Sequence, residues 1–372
     1  MNIIEKDKTT PESELVDTII NKDVKQGLMC LPDNYIDMII TSPPYWGLRN
    51  YNVDGQIGQE ETPEKYVETM RSVFSAARRV LKDTGTLWLN LGDTYMSGGS
   101  PSRHFGYADD KNKKGRNIDF HEPQTNKHET IKPKDLVGIP WRVALALQQD
   151  GWYLRSDIIW HKPNAMPESA QDRPTRDHEY IFLFSKNQKY YYDADSIREP
   201  HTSLDDFKRR KNKMYSENIA KGGTGEQMLG RNRGDFYHPK GRNKRTVWTI
   251  PTKPYPNSHF AVFPKDLVRQ CVLAGCPKDG IVLDTFAGSG TALEVAVEHD
   301  RHYVGIELNT DYLPMIRKRL GLSTFFKDTK EMEKMNKQSY AKMIRKVENE
   351  LTESEKMQEN LEPIEDYDDE KK

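Results

Sequence analysis

Residues 41–51, TSPPYWGLRNY, follow the run YIDMII and combine groups able to hold an amine. Ser42 carries a hydroxyl. Pro43 and Pro44 fix the backbone and remove two N–H donors, so their carbonyls stand as rigid acceptors. Tyr45 and Trp46 add flat faces. Together these residues describe a pocket that accepts hydrogen bonds from an exocyclic amine and stacks on the ring bearing it. The lone pair of such an amine is conjugated into its ring, so it attacks carbon poorly until acceptors hold its hydrogens around a tetrahedral nitrogen. Acceptors fixed for that geometry favour the transition state over the planar ground state. The same residues also suit an ordinary Pro-Pro turn whose aromatics are packed.

A second cluster lies far along the chain, in IVLDTFAGSGTAL at 281–293. An apolar strand run ends at Asp284, Gly288 and Gly290 occupy the turn, and a helix pattern begins near Thr291. Small residues there let a ligand approach the backbone, and free N–H groups at a helix start favour a carboxylate or phosphate. Leu293 stands where the dinucleotide fingerprint wants a third glycine, so the pattern is incomplete for NAD. Glu307 ends the next strand run, YVGIEL, about twenty residues on, where an acid in such folds accepts hydrogen bonds from ribose hydroxyls. An adenosine-containing ligand with a carboxylate satisfies both ends. A generic strand, turn and helix with a solvent-facing Glu307 satisfies the pattern as well.

The elements that must position these clusters read as alternating strands and helices. LVDTIINKD and IDMIITS give two β-branched strands separated by a short helix or turn. Thr62 is an N-cap with Pro63 in the first turn, apolar residues recur at helical spacing to Val80 or Leu81, and Gly85 closes the helix. TLWLNLGD is the next strand, PWRVALALQQDG a helix, and WYLRSDIIWHK and EYIFLFSK two further strands. A helix follows Pro264, and 280–320 reads strand, Gly-rich turn, helix, strand, acid, helix. That alternation predicts a mostly parallel sheet with helices on both faces, an α/β fold of Rossmann-like type. The polar stretch 97–130 reads as an insertion near the site.

The 372 residues predict one large domain with a smaller module or long insertions. No run approaches a membrane span and the N-terminus lacks a signal-peptide stretch, which predicts a cytoplasmic protein without membrane partners. Cys30, Cys271 and Cys276 make no disulfide framework, and no Cys/His cluster has zinc spacing, so no metal site is expected. The formal net charge of -1 hides two blocks. From 196 to 250, thirteen Lys/Arg against six acids give 13 − 6 = +7, interleaved with Gly and aromatics; from Glu331 on, thirteen acids against eight bases give 8 − 13 = −5. The basic block suits phosphate contact or an ordinary charged loop, and the acidic end a solvated tail.

In sum of motifs, the chain resembles the S-adenosylmethionine-dependent amino-methyltransferases of DNA in their β-class order. TSPPYW is similar to the family's catalytic tetrapeptide, SHFAVFPKDLV to its first cofactor motif, LDTFAGSGT to the methionine-side loop, YVGIELN to the ribose-binding acid, and 158–186 to the middle block. Their order, catalytic strand first and cofactor loop last, is that of a permuted class I methyltransferase fold. The resemblance implies a catalytic half at 12–195 with the insertion 97–130, a target-recognition insert at 196–245, a cofactor half at 246–322 and a charged helical or disordered tail at 323–372.

It further implies S-adenosylmethionine as cofactor, duplex DNA as partner, and a cognate restriction endonuclease acting on the same site. Ser42, Pro43, Pro44 and Tyr45 would hold and stack a flipped base. Asp284, Phe286, Gly288 and Gly290 would surround the methionine part, with Phe260 closing that end. Glu307 would take the ribose, and Asp23, in the segment INKD, would lie near the adenine. Transfer in the family is direct, with no metal and no covalent intermediate. Ser-Pro-Pro-Tyr usually accompanies cytosine N4 and Asp-Pro-Pro-Tyr adenine N6, so Ser42 favours cytosine. The alternatives are adenine-N6 methylation, a non-catalytic DNA-binding protein on the same fold, and a methyltransferase of small molecules or proteins, which has no use for the +7 block.

Overall fold

In a computed structural model, residues 15–48, 51, 53–96, 128–201, 238, 240–253 and 263–322 are described. Phe260, most of the 97–130 insertion, residues 202–237 of the proposed recognition insert and the 323–372 tail lie outside them.

An eight-stranded sheet organises the chain, in the spatial order β1-β8-β7-β2-β3-β5-β4-β6. The strands are β1 (Thr18–Ile20), β2 (Ile36–Thr41), β3 (Leu81–Leu91), β4 (Tyr153–His161), β5 (His178–Ser185), β6 (Val247–Thr249), β7 (Ile281–Asp284) and β8 (His302–Ile306). β5 runs antiparallel to its neighbours β3 and β4, and every other pairing is parallel. The class I methyltransferase architecture expected from the motif order is therefore present.

The helices are α1 (Val24–Met29), α2 (Pro63–Val80), α3 (Ile139–Gln149), α4 (Lys265–Gly275), α5 (Thr291–Glu298) and α6 (Leu313–Arg319). Buried residues of α1, α2 and α3 share one apolar core, and those of α4, α5 and α6 the other. The strands between them alternate accordingly. In β2, Met38 and Ile40 join the α4–α6 core while Ile39 joins the α1–α3 core, and in β3 Trp88 opposes Leu87 and Leu89. A sheet with both faces covered reads as apolar runs of this kind.

α2 forms as its sequence dictates. The Thr62 hydroxyl accepts the Lys65 N–H at 3.2 Å, Pro63 occupies the first turn, and Tyr66, Met70, Val73, Phe74, Ala77 and Val80 make its buried stripe. Its end differs from the expectation. The helix stops at Val80 and β3 begins at once with Leu81, so Gly85 lies inside the strand, where a shift in register against β2 falls between Ile36 and Met38. A Cβ at 85 would meet the Leu81 side chain at 2.6 Å, which accounts for glycine there without any helix-ending role. β6 pairs with β4 at the sheet edge, and three residues are too few to show a period in sequence.

The connections set the site. β7 leads through α5 to β8 over one face, while β2 leads through α2 to β3 over the other. The loops leaving β7 and β2 therefore diverge from adjacent strands, opening a crevice at their C-terminal ends. In open α/β sheets this switch point is where ligands bind.

Candidate active site

Both sequence clusters flank that crevice. Thr41, the last residue of β2, donates to Asp284 Oδ1 at 2.8 Å and accepts from the Thr285 hydroxyl at 3.1 Å. This buried contact ties the strand that feeds Ser42 to the strand that feeds the glycine turn. Burial drives the Asp284 carboxyl up to about 7, against the opposing hydrogen bonds from Thr41 and the Phe286 N–H. Its second oxygen, Oδ2, is buried and takes no hydrogen bond among the described residues. A buried acceptor without a donor is costly, and a ligand bearing N–H groups relieves it.

The two glycines of the turn have different reasons to be glycine. Gly290, at φ +80, caps α5, and a Cβ there would meet Ile316 Cγ2 at 3.0 Å, so it serves helix packing. Gly288, at φ +51, has nothing nearer than 3.8 Å to a Cβ, which leaves its surface open to a ligand. The Gly288 N–H points the other way, into Glu307 Oε2 at 2.7 Å, while the Asn309 N–H donates to Glu307 Oε1 at 2.7 Å. Each carboxylate oxygen keeps a second lone pair, enough for two ribose hydroxyls. Burial raises the Glu307 carboxyl to about 7 despite these two donors.

Asn21 bridges from β1 to the same loop, donating to the carbonyls of Glu307 at 2.7 Å and Leu308 at 3.2 Å. Asp23, two residues on, uses Oδ1 to cap α1, accepting Lys25 N–H at 2.9 Å and Gln26 N–H at 3.4 Å. That cap is a structural task that the sequence reading did not assign to it. Phe286 is half-buried and packs on the α1–α3 core beside the crevice.

On the β2 side, Ser42 Oγ lies 3.2 Å from the Tyr45 hydroxyl, which lies 2.7 Å from Glu179 Oε2. Tyr66 of α2 donates to the Pro44 carbonyl at 2.9 Å, so this acceptor is already engaged; the Pro43 carbonyl accepts no hydrogen bond among the described residues. Gly92, at the end of β3, lets the Tyr45 ring lie close, since a Cβ there would stand 2.6 Å from Tyr45 Cε2. Trp46 departs from the sequence reading. Its ring is buried in the core and its indole N–H donates to the Glu60 carbonyl at 2.8 Å, so it offers no face to a ligand.

Sequence reasoning missed the far wall of this cup. Glu179 opens β5, Asn90 closes on it from β3 with Nδ2 at 3.1 Å, and Lys162, just beyond β4, pairs with Oε1. Lys162 lies over the Trp160 ring, 4.4 Å from its centroid. Burial alone raises the Glu179 carboxyl, but the Lys162 ammonium and the hydrogen bonds from Lys162, Tyr45 and Asn90 outweigh it and hold the group below the usual carboxylate range. Burial and the Glu179 charge keep the Tyr45 phenol well above its ordinary value, hence protonated. The sequence signal was slight: one acid and one amide interrupting apolar runs.

A family model for the N6/N4 DNA methylases matches residues 36–318. The chain is 49% identical over 302 residues to the type II methyltransferase M.SmaI of Serratia marcescens, spanning 81% of this chain and 90% of that protein. It is 45% identical over 303 residues to the type II methyltransferase M.Cfr9I of Citrobacter freundii, spanning 82% and 87%. Among solved structures, the PvuII DNA methyltransferase described as cytosine-N4-specific superposes with a TM-score of 0.54 at 16% identity, over 89% of this chain and 92% of that one, a likeness of fold. The chain belongs to the N6/N4 family of DNA methylases, enzymes that methylate an exocyclic amine of a base.

S-adenosylmethionine, the cofactor of such enzymes, fits the residues present. The unpartnered Asp284 Oδ2 can receive an ammonium, the bare Gly288 surface leaves room for the chain between ammonium and ribose, and the spare lone pairs of Glu307 suit ribose hydroxyls. Among the described residues no group of three or more His, Cys, Asp or Glu could hold a metal ion, and no helix is long and apolar enough to cross a membrane.

Proposed function

We propose that this DNA methylase acts on the N4 amine of cytosine in duplex DNA, flipping the base into the cup formed by Ser42, Pro43 and Tyr45. One observation carries the reading: the Ser42 hydroxyl and the Pro43 carbonyl, which accepts no hydrogen bond among the described residues, directly follow Thr41, whose hydroxyl ties this strand end to Asp284 at 2.8 Å. The serine at position 42, in place of the carboxylate usual for adenine N6, supports cytosine.

When bound, S-adenosylmethionine would supply an electrophilic methyl group on a sulfonium whose leaving group is a neutral thioether. Asp284, Gly288 and Glu307 bind and orient it. Ser42 Oγ and the Pro43 carbonyl accept the two amine hydrogens and hold the nitrogen pyramidal, with its lone pair turned into the crevice. As that nitrogen acquires positive charge its N–H groups become stronger donors, so both acceptors gain more in the transition state than in the ground state, and the methylated nitrogen then releases one of these protons to solvent to give the neutral product. Tyr45 supplies the stacking face. Pro44, held by Tyr66, keeps the cup rigid.

The basic segment from 196 to 250 serves as the duplex contact, and extrusion of a base, which costs a few kcal/mol, is offset by phosphate contacts. Affinity for duplex DNA is therefore expected to fall steeply with salt, with a slope in log K against log salt equivalent to several phosphates. A salt-independent affinity contradicts this. Like the type II methyltransferases it resembles, the chain is proposed to share its site with a cognate restriction endonuclease.

The raised carboxyls give a pH prediction. Asp284 and Glu307 hold protons more tightly in the folded chain than in the unfolded one, so their contribution to stability is present at acid pH and lost as pH rises through about 7. Binding of the cofactor runs the other way, because a carboxylate accepts ribose hydrogen bonds better than a carboxylic acid. Calorimetric affinity for S-adenosylmethionine is expected to be several-fold weaker at about pH 6 than at about pH 8, and Glu307→Gln to reduce that difference to the share carried by Asp284.

The base is tested by sequencing DNA from a host expressing the gene, with detection that separates modified cytosine from modified adenine. Modified cytosine at one recurrent sequence is expected; modified adenine overturns the assignment.

A further inference from the structure

We propose that Glu179 is a positioning residue that acts through Tyr45 to fix the Ser42 hydroxyl as a hydrogen-bond acceptor toward the target amine. The inference rests on the reading of Ser42 given above and adds what sets its polarity.

The chain of contacts admits one arrangement of protons. Glu179 is ringed by donors only: the Lys162 ammonium on Oε1, and the Asn90 amide at 3.1 Å and the Tyr45 hydroxyl at 2.7 Å on Oε2. The second Asn90 amide hydrogen goes to the Tyr180 carbonyl at 3.1 Å, which fixes the amide's orientation. An ionised carboxylate accepts and cannot donate. Tyr45 must therefore spend its one proton on Glu179, and its oxygen is left to accept. The proton of the 3.2 Å contact between Ser42 and Tyr45 then comes from Ser42.

With that proton turned inward, Ser42 presents only lone pairs outward. A free serine hydroxyl rotates and can equally offer its proton, which would repel an amine N–H and invite the wrong edge of a base. Each donated bond in such a chain also polarises the next, so the Glu179 charge makes Ser42 Oγ a better acceptor than an isolated hydroxyl.

The five residues of the chain come from four places in the fold, namely the loop after β2, β3, the residue following β4 and the start of β5. Sheet register holds them together: Asn90 lies opposite Ile181, and Trp160 opposite Glu179. A half-buried pair of Glu179 and Lys162 serving only to tie β4 to β5 needs neither the tyrosine nor the serine. That difference is measurable.

The test is single-turnover methyl transfer by the full chain, on DNA carrying its methylation site, with separate titrations of S-adenosylmethionine and of duplex DNA. Glu179→Gln keeps the shape but introduces an amide that can donate to Tyr45 and reverse the chain. It is expected to slow transfer about tenfold or more, with both dissociation constants within about twofold of the parent. Tyr45→Phe cuts the same chain without touching the half-buried ion pair and is expected to slow transfer by at least as much. In the Tyr45→Phe background, Glu179→Gln should cost less than about twofold more, because residues acting in one network are not additive.

A Glu179→Gln protein that transfers within about twofold of the parent rate overturns the proposal. So does an undiminished Glu179→Gln loss in the Tyr45→Phe background. Should Glu179→Gln fail to fold, Tyr45→Phe alone decides: a rate within about twofold of the parent overturns the chain. Ser42→Ala separates the two levels. A normal rate there removes the underlying site reading, whereas a slow Ser42→Ala beside a normal Glu179→Gln removes only the role of Glu179.

Discussion

Replacing Ser42 with alanine is expected to lower the rate of methyl transfer about a hundredfold while leaving the dissociation constant for S-adenosylmethionine unchanged. Removing one preorganised hydrogen-bonding group aimed at developing charge costs about 10²- to 10³-fold in other enzymes, and the role proposed for Ser42 is of the same kind. The size of the loss follows from where the bond is made. A planar amine is a modest donor, whereas a pyramidal nitrogen carrying positive charge is a strong one, so the missing acceptor is felt mainly in the transition state. The cofactor side does not feel it. Thr41, one residue earlier, carries the contact to Asp284, and alanine at 42 leaves that contact in place. Single-turnover rates and calorimetry measure the two quantities separately. An unchanged rate removes Ser42 from the catalytic machinery; a matching loss of cofactor affinity makes it a binding residue.

Glu307→Ala is expected to raise the dissociation constant for S-adenosylmethionine ten- to a hundredfold. A hydrogen bond to a charged group contributes about 1.5 to 3 kcal/mol, and about 1.4 kcal/mol is one power of ten. Two further effects act on the same side chain and oppose each other. Burial at 8% exposure already penalises the charged carboxylate, so removing it relieves the empty protein. The Gly288 and Asn309 N–H groups, however, lose their acceptor, and the turn proposed to carry the cofactor contacts loses its tie to the residue following β8. The loss of organisation falls on the binding site, so the constant rises. Glu307→Gln, which keeps an acceptor for one of the two N–H groups, should fall between the parent and alanine. An unaltered constant in titration of Glu307→Ala refutes the ribose role.

Much of the frame was legible because local signals and packing agreed. Thr62, Pro63 and the stripe from Tyr66 to Val80 announced α2, and the apolar runs of β2, β3, β5 and β7 announced buried strands. Motif order placed the Ser42 and Gly288 clusters at strand ends. What the sequence withheld depends on pairings between distant segments. The apolar run of β5 says nothing of its antiparallel direction, and only that direction brings its first residues, His178 and Glu179, to the same edge as the last residues of β3 and β4. Glu179 was invisible as a site residue for that reason. Gly85 was misread because β3 starts with polar residues, LKDTG, that resemble a turn. Trp46 was misread because a loop has no period to tell a ring facing the core from one facing a ligand. Asp23 carried a cap signal that the family resemblance overshadowed.

An acceptor-only cup at Ser42 and Pro43 is proposed to grip the amine of an extruded cytosine across from Asp284 and Glu307. The most direct measurement is a crystal structure of the protein with a non-reactive analogue of S-adenosylmethionine and a duplex carrying its methylation site. The expected result is a cytosine out of the helix, its N4 within about 2.7 to 3.2 Å of both Ser42 Oγ and the Pro43 carbonyl, its ring against Tyr45, and the analogue's ribose on Glu307. A base left in the stack, or one whose amine faces away from Ser42 and Pro43, contradicts it.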